Sequence, residues 1–239
     1  IFPRISLDLI YARPGQSVAA WREELGRATG LGADHISPYQ LTIEAGTAFD
    51  RAVRRGAWVP PEAGLGADLF DATQEVLSDA GFEAYEVSNH ARGEAARSRH
   101  NLVYWRGQDY VGVGPGAHGR LTLAAGRTAT AAEMKVEAYV RAVGETGVGW
   151  VSHETLTAAE AAEERLLMGL RTLEGVALAE VKAIGLDAAT PRLVELTEAG
   201  LLAVADGRIA ATARGRLVLD RVTAELATAA PLAARAVVG

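Results

Sequence analysis

From Ile5 to Tyr11 the run ISLDLIY is apolar at nearly every position, the pattern of a strand buried on both faces. The ARPGQ that follows is a turn signal. Ser17 then stands where a helix N-cap is expected, ahead of VAAWREELGRATGLG, in which Val18, Trp21, Leu25 and Ala28 fall on one face and Gly30 and Gly32 close the helix. HISPYQLTIE predicts a second strand. A strand, a helix and a strand within about 40 residues make a βαβ unit, which implies a parallel sheet.

Beyond that strand, EAGTAFDRAVRRGAWVPPEAG predicts a short helical insertion stopped by the Pro60-Pro61 pair, and Leu65 to Ala80 resumes an amphipathic helix. Phe82 to Val87 supplies a third strand. Residues 88–127 change character, being rich in Gly, Arg, Asn, His and aromatics without helical periodicity. A long irregular stretch inside a compact domain is usually functional. Glu133 to Glu145 predicts a further helix, and the composition shifts at Val151 to Leu156, which places a domain boundary between residues 150 and 151. The second domain, residues 151–239, predicts helices at 158–172, 178–183 and 190–199, a hairpin turning at Asp206-Gly207, and a last helix at 216–229. Three helices followed by a hairpin resemble a winged-helix arrangement.

The 239 residues are 49% hydrophobic and 23% charged, enough apolar material for one or two packed domains, with disorder and collagen-like structure excluded. A net charge of -6 disfavours an electrostatic footprint on nucleic acid or on an anionic membrane. Arg208, Arg214, Arg216 and Arg221 lie close together in the sequence, but Glu160, Glu163 and Glu164 in the same domain would repel phosphates, so a DNA-reading wing is not expected. No run reaches the roughly 18 to 20 apolar residues of a membrane span, and no leader pattern is present, so a cytoplasmic protein without a transmembrane segment is expected. The absence of cysteine excludes disulfides and any thiolate-held metal or cluster on this chain. Since the sequence begins inside a strand pattern and its first Met is Met134, a fragment is expected.

Asp8 is a carboxylate within an apolar strand. Buried, it needs a hydrogen-bonding partner; at the end of a parallel strand it can grip a ligand. Gly112, Gly114 and Gly116-Ala117 satisfy G-x-G-x-x-G/A in form, yet GRLTLAAGR after them is strand-like rather than helical and Pro115 removes a backbone donor, so a dinucleotide cradle is rejected. Close approach of the backbone to a flat or bulky ligand, or simple tight looping, are the two readings that remain. Of the five histidines, His90, His100 and His118 fall in the irregular stretch beside Arg97, Arg99, Tyr104, Trp105 and Arg120, without metal-site spacing such as H-E-x-x-H. Imidazole with aromatic neighbours and guanidinium groups is what a haem or other carboxylate-bearing tetrapyrrole needs. No G-x-S-x-G elbow and no P-loop occurs.

These residues resemble a known family, the radical-SAM proteins related to oxygen-independent coproporphyrinogen III oxidase, and within it the HemW branch, regarded as haem chaperones. DLIYARPGQ at 8–16 is similar to the family's D-L-I-Y-G-L-P-x-Q strand end, HISPYQLTIEAGT at 35–47 and YEVSNHA at 85–91 to its next two strands, and HNLVYW at 100–105 with DYVGVGPGAHG at 109–119 to the HemW pattern H-N-x-x-Y-W. ERLLMGLR and the closing hairpin resemble its C-terminal domain. The resemblance implies an α/β fold, the second half of a partial (β/α) barrel of the radical-SAM type, followed by a small helical, winged-helix-like domain. It implies S-adenosylmethionine at Asp8 and Ile10, and haem at His100, the iron-associated histidine, with Asn101 and Tyr104 of the same motif and His118 as further candidates. The cysteines that hold the family's [4Fe-4S] cluster match no position here, so this chain alone is expected to be catalytically inactive. The expected partners are haem and haem-acceptor proteins. A coproporphyrinogen oxidase, and a structural or regulatory module, are the alternative readings. Ala12-Arg13 stands where the family has Gly-Leu, so the turn beside Asp8 is expected to differ.

Overall fold

The computed structural model describes residues 4–59 and 62–228, and divides into two compact units at Ser98/Arg99. The first is built on the expected βαβ unit. Strand β1 (Ser6–Tyr11) leads into helix α1 (Val18–Thr29), capped by Ser17 Oγ, which accepts from the Ala20 N–H at 3.2 Å, and the chain returns in β2 (His35–Gln40) parallel to β1. Helix α2 (Ala48–Arg54) is the short insertion; its predicted Pro60-Pro61 stop lies outside the described residues. Helix α3 (Ala63–Asp79) then crosses back to β3 (Glu83–Glu86).

A fourth strand, β4 (Asn89–Ala91), doubles back from β3 and enters the sheet between β3 and β2, giving the order β1-β2-β4-β3. Because β4 is antiparallel to both neighbours, the sheet is mixed rather than wholly parallel. Three residues flanked by Ser, Arg and Gly carry too little apolar periodicity to announce a strand, and tertiary pairing makes one.

Helices α1 and α3 of this unit pack together against one face of the sheet. Trp21, Leu25, Leu69 and Leu77 from α1 and α3 pack with Tyr11, Ile36 and Phe82, and with Leu7 and Leu9 at the margin. Tyr11 stacks on Trp21 with ring centroids 5.4 Å apart, and burial pushes its phenol up to about 12. The predicted stripe on α1 is the observed one, with Trp21, Leu25 and Ala28 buried. The prediction that β1 is buried on both faces is not met: Ser6, Asp8 and Ile10 are exposed while Leu7 and Leu9 are half-buried and Tyr11 is buried, an alternation of period two.

The second unit begins with helix α4 (Arg99–Trp105), so the stretch 88–127 is only partly irregular. A three-stranded antiparallel sheet follows, β5 (His118–Leu123), β6 (Gly126–Ala132) and β7 (Trp150–Thr155), with α5 (Val136–Thr146) between the last two. The compositional boundary at residue 150 coincides with the start of β7, whose pairing along β6 ties the two sides of that point together. Helix α6 (Ala158–Gly169) opens with a capping box between Thr157 and Glu160. Then come β8 (Val176–Ala177), α7 (Leu178–Val181), α8 (Pro191–Glu198) and the hairpin β9 (Leu202–Ala205) to β10 (Arg208–Ala211). Asp206 and Gly207 both hold positive φ, 50° and 71°, as a two-residue hairpin turn demands. Short α9 (Ala213–Arg216) and α10 (Leu219–Thr228) complete the described chain.

The core of the first unit contains one polar contact that its packing depends on: Trp21 Nε1 donates to Thr73 Oγ1 at 2.8 Å, with both residues buried. Thr73→Val keeps the shape and removes the acceptor, leaving the indole N–H unsatisfied, so the free energy of unfolding is expected to fall by about 1–3 kcal/mol. Urea denaturation followed by tryptophan fluorescence measures this; an unchanged midpoint would show that the contact contributes nothing.

Candidate functional site

With the helices on one side, the other face of the first sheet is a polar surface of ordered composition. Parallel pairing sets Ser6 across from His35, Asp8 across from Ser37 and Ile10 across from Tyr39, all on that side, where Ser6, Asp8 and Ile10 are exposed and His35 and Ser37 are buried. Glu86 and Asn89, partners across the β3–β4 turn, join them. Asp8 and Ile10 are thus brought to one face, two residues apart, and Ile10 is 49% exposed there. Among the described residues Asp8 makes no ion pair or hydrogen bond, so its carboxylate is presented rather than consumed. Ala12, at the end of β1, holds a φ of 59° while buried. A residue with a Cβ in this left-handed conformation costs about 1–2 kcal/mol.

Behind Asp8 lies a buried hydrogen-bonded layer whose significance the sequence did not disclose. Tyr85 Oη sits 2.7 Å from His35 Nε2 and accepts from the Ser98 N–H at 3.1 Å, while Ser6 Oγ lies 2.9 Å from His35 Nδ1. Ser37 Oγ donates to Asn89 Oδ1 at 3.1 Å, and Asn89 Nδ2 donates to Glu86 Oε2 at 2.9 Å. Burial lowers the pKa of His35, with nearby Asp8 opposing that shift and Arg4 adding to it, and burial raises the Tyr85 phenol. The available signal was the Y-E-x-S-N run at 85–89, where a Tyr, a Glu and an Asn interrupt what should be an apolar strand end.

In the second unit, α4 carries the H-N-x-x-Y-W residues. His100 and Tyr104, four apart, share a face and meet edge to face with centroids 4.8 Å apart, and Tyr104 meets Tyr110 in the same way at 4.4 Å. His100 is exposed and Asn101 half-buried. The helix is held by Arg165, whose Nη1 donates to the Trp105 carbonyl at 2.8 Å and whose Nε donates to Glu180 at 2.9 Å. Trp105 is among the residues that line a cavity of about 350 Å³, with Met168, Arg171 and Leu219. His118 opens β5 on the surface, and among the described residues no contact joins it to His100.

The glycines at 112–119 serve the chain's own packing. A Cβ at Gly112 would lie 2.4 Å from the His118 carbonyl oxygen, and one at Gly119 would lie 2.5 Å from Thr130 Oγ1. The close approach at these two positions is therefore of backbone to neighbouring protein atoms, the tight-looping reading of the two. Two of the arginines set aside for carboxylates are engaged: Arg120 pairs with Glu164 at 2.6 Å, and Arg97 lies over the Tyr85 ring and 3.8 Å from Glu83. Arg99 is exposed and, among the described residues, makes no ion pair. In the C-terminal hairpin Arg208 donates to the Glu174 and Gly175 carbonyls, and Arg221 pairs with Glu225 at 2.8 Å. Among the described residues no group of three or more His, Asp or Glu is placed to hold a metal ion, and no helix is long and apolar enough to cross a membrane.

Because burial keeps His35 neutral in the folded chain while the unfolded imidazole takes up its proton near pH 6.5, the unfolded state binds more protons as the pH falls below that value. Stability held above about pH 6.5 is therefore lost as the pH drops toward the lowered pKa. Chemical denaturation at pH 7 and at about pH 5 is expected to show a smaller loss in His35→Gln than in the wild type; equal losses would remove His35 from the acid sensitivity.

The chain is similar to known proteins along most of its length. The HemN C-terminal domain family matches residues 156–218. The mitochondrial radical S-adenosyl methionine domain-containing protein 1 of Danio rerio is 40% identical over 177 residues, covering 72% of this chain and 40% of that protein. The heme chaperone HemW of Mycobacterium tuberculosis is 35% identical over 225 residues, covering 94% of this chain and 55% of that protein. Among solved structures, the coproporphyrinogen III oxidase HemN from Escherichia coli, a radical SAM enzyme, has the same fold over 95% of this chain and 55% of its own, with a TM-score of 0.67 at 20% identity. The chain spans about half the length of the curated relatives it matches. A matched C-terminal family, relatives at 35–40% identity and a shared fold make this chain a member of the HemW/HemN-like radical-SAM family.

Proposed function

We propose that this chain is part of a HemW-type haem-binding chaperone that also binds S-adenosylmethionine. The observation that carries the reading is the pairing of two separate features: an unsatisfied carboxylate, Asp8, on an open polar sheet face, and an exposed imidazole, His100, on a helix bearing H-N-x-x-Y-W. The first set fits a nucleoside cofactor. Asp8 accepts hydrogen bonds from hydroxyl or amino groups, while Ile10 and Tyr39, partners across β1 and β2, offer an apolar and an aromatic side to a flat base.

The second set fits a tetrapyrrole. His100 is free to approach iron, its ring steadied by Tyr104 and Tyr110; Asn101 stands beside it as a polar neighbour, and Arg99 offers a guanidinium for a propionate. The Trp105 cavity lies on the same helix and supplies apolar lining. His118 is a further haem candidate on β5. The barrel-like completion of the first sheet and a winged-helix-like arrangement of α6, α7, α8 and the β9–β10 hairpin belong to this reading, as do haem-acceptor partners and a cytoplasmic site of action.

The [4Fe-4S] cluster does not fit this chain, since without cysteine it has no thiolate to hold one; the reading places those ligands elsewhere in the whole protein. Bound S-adenosylmethionine with a reduced cluster would supply radical chemistry, to which this chain contributes the cofactor's polar contact at Asp8. The chaperone is preferred to the oxidase because the relatives at 35–40% identity include a protein named heme chaperone, whereas the oxidase shares the fold at 20%.

In a haemin titration followed by visible absorption, saturable binding with a shifted Soret band is expected for the whole protein and is expected to be lost in His100→Ala but kept in His118→Ala. Asp8→Ala is expected to weaken S-adenosylmethionine binding by about tenfold or more, as fits a lost charge-assisted hydrogen bond of roughly 1.5–3 kcal/mol. Unchanged haemin binding in His100→Ala, or unchanged cofactor affinity in Asp8→Ala, would overturn the corresponding half of the reading.

A further inference from the structure

Glu86 is 1% exposed at the end of β3. Burying a carboxylate is costly unless donors meet it, and donors are present: the Ser88 N–H at 2.8 Å and Asn89 Nδ2 at 2.9 Å both reach Oε2. A carboxylate only accepts, so it dictates which way the Asn89 amide faces. With Nδ2 turned to Glu86, Oδ1 faces Ser37 and accepts its hydroxyl proton at 3.1 Å. Ser37 stands directly across the parallel pair from Asp8, roughly 5 Å away at the backbone. Its single proton is already committed to Asn89, so Ser37 has none to give to Asp8.

We propose that Glu86, Asn89 and Ser37 form a positioning line whose task is to keep Asp8 unsatisfied. The charge on Glu86 orients Asn89, Asn89 draws the Ser37 proton away from β1, and the Asp8 carboxylate is left with its accepting capacity for a ligand that carries donors. This rests on the reading of Asp8 as a contact of S-adenosylmethionine. It goes beyond that reading by assigning three residues that do not touch the cofactor a role in how tightly it is held.

The arrangement makes a prediction that a purely structural role does not. In Glu86→Gln the new amide can donate to Asn89 Oδ1, the Asn89 amide turns over, and Nδ2 faces Ser37. The Ser37 proton is then released to Asp8, which becomes satisfied within the protein and competes with the ligand. S-adenosylmethionine affinity is expected to fall about 3- to 10-fold, the size of one net hydrogen bond, and to return toward wild type when Ser37→Ala is added to Glu86→Gln. Asn89→Ala, which also frees the Ser37 proton, is expected to show the same loss and the same rescue.

Isothermal titration of S-adenosylmethionine into the cluster-loaded full-length protein, with thermal unfolding of each variant alongside, tests this. Loss in Glu86→Gln that Ser37→Ala restores supports the line, and so does the same pattern in Asn89→Ala if Glu86→Gln does not fold. Wild-type affinity in Glu86→Gln, or a loss that Ser37→Ala leaves in place, overturns it while leaving the Asp8 assignment intact. Wild-type affinity in Asp8→Ala overturns the assignment and the line together. Repeating the titration with methylthioadenosine, which lacks the amino-acid portion, locates the donors: a persisting effect puts them on the nucleoside, and a vanished one on the ammonium group, either outcome supporting the line.

Discussion

The register of β1 against β2 is the constraint from which the first unit follows. Pairing Asp8 with Ser37 puts Leu7, Leu9 and Tyr11 on the side of α1 and α3, and puts Ser6, Asp8 and Ile10 on the other. A slip of one residue would reverse both sets, burying Asp8 against Trp21 and Leu69 and exposing the apolar side chains. The large apolar residues of the two helices hold the register in place, because only one alternation lets Tyr11 stack on Trp21. The open face thus owes its polarity to packing on the opposite side of the same strands.

The cost of that face is carried by β4. A layer containing His35, Ser37, Tyr85, Glu86 and Asn89, all buried, would destabilise the sheet if its groups were left unsatisfied. The antiparallel insertion of β4 next to β2 puts Asn89 where it can bridge Ser37 and Glu86, and the tight turn at residues 87–88 brings the Ser88 N–H to the same Glu86 oxygen, Oε2. Neighbouring Asp8 and Ile10 gain exposure without the sheet losing order. In the second unit ion pairs link elements around the buried apolar core: Glu164 joins Arg120 and Arg127, Glu174 joins Arg106, and Arg165 binds α4 to the start of α7 through Glu180. Several arginines that a charge count would offer to a ligand are spent in this way, and Arg99 is left at the surface.

Much of both units is legible where the signals are local. The Ser17 cap, the Val18, Trp21, Leu25 and Ala28 spacing and the Asp206-Gly207 turn each depend on residues within one or two turns of one another. The helix at 99–105 and the strand at 89–91 were not legible, since a seven-residue helix and a three-residue strand hold too little periodicity to stand out. The sequence leaves the glycines at 112 and 119 between a ligand and tight looping because the atoms they avoid, the His118 carbonyl and Thr130 Oγ1, are brought near only by the β5–β6 sheet.

The amino-acid sequence by itself determined the βαβ beginning, the absence of thiolates, the C-terminal helices with their hairpin, and the family to which HNLVYW and DLIYARPGQ point. These are matters of composition, of short-range periodicity and of contiguous motifs. Tertiary structure decided that Asp8 faces outward rather than into a core, that β4 splits the sheet, and that Arg120 answers to Glu164. It also brought Glu86, Asn89 and Ser37, up to 52 residues apart, into one hydrogen-bonded line. The physical reason is that hydrogen-bond direction and burial are properties of neighbours in space, and those neighbours exist only once the strands have paired.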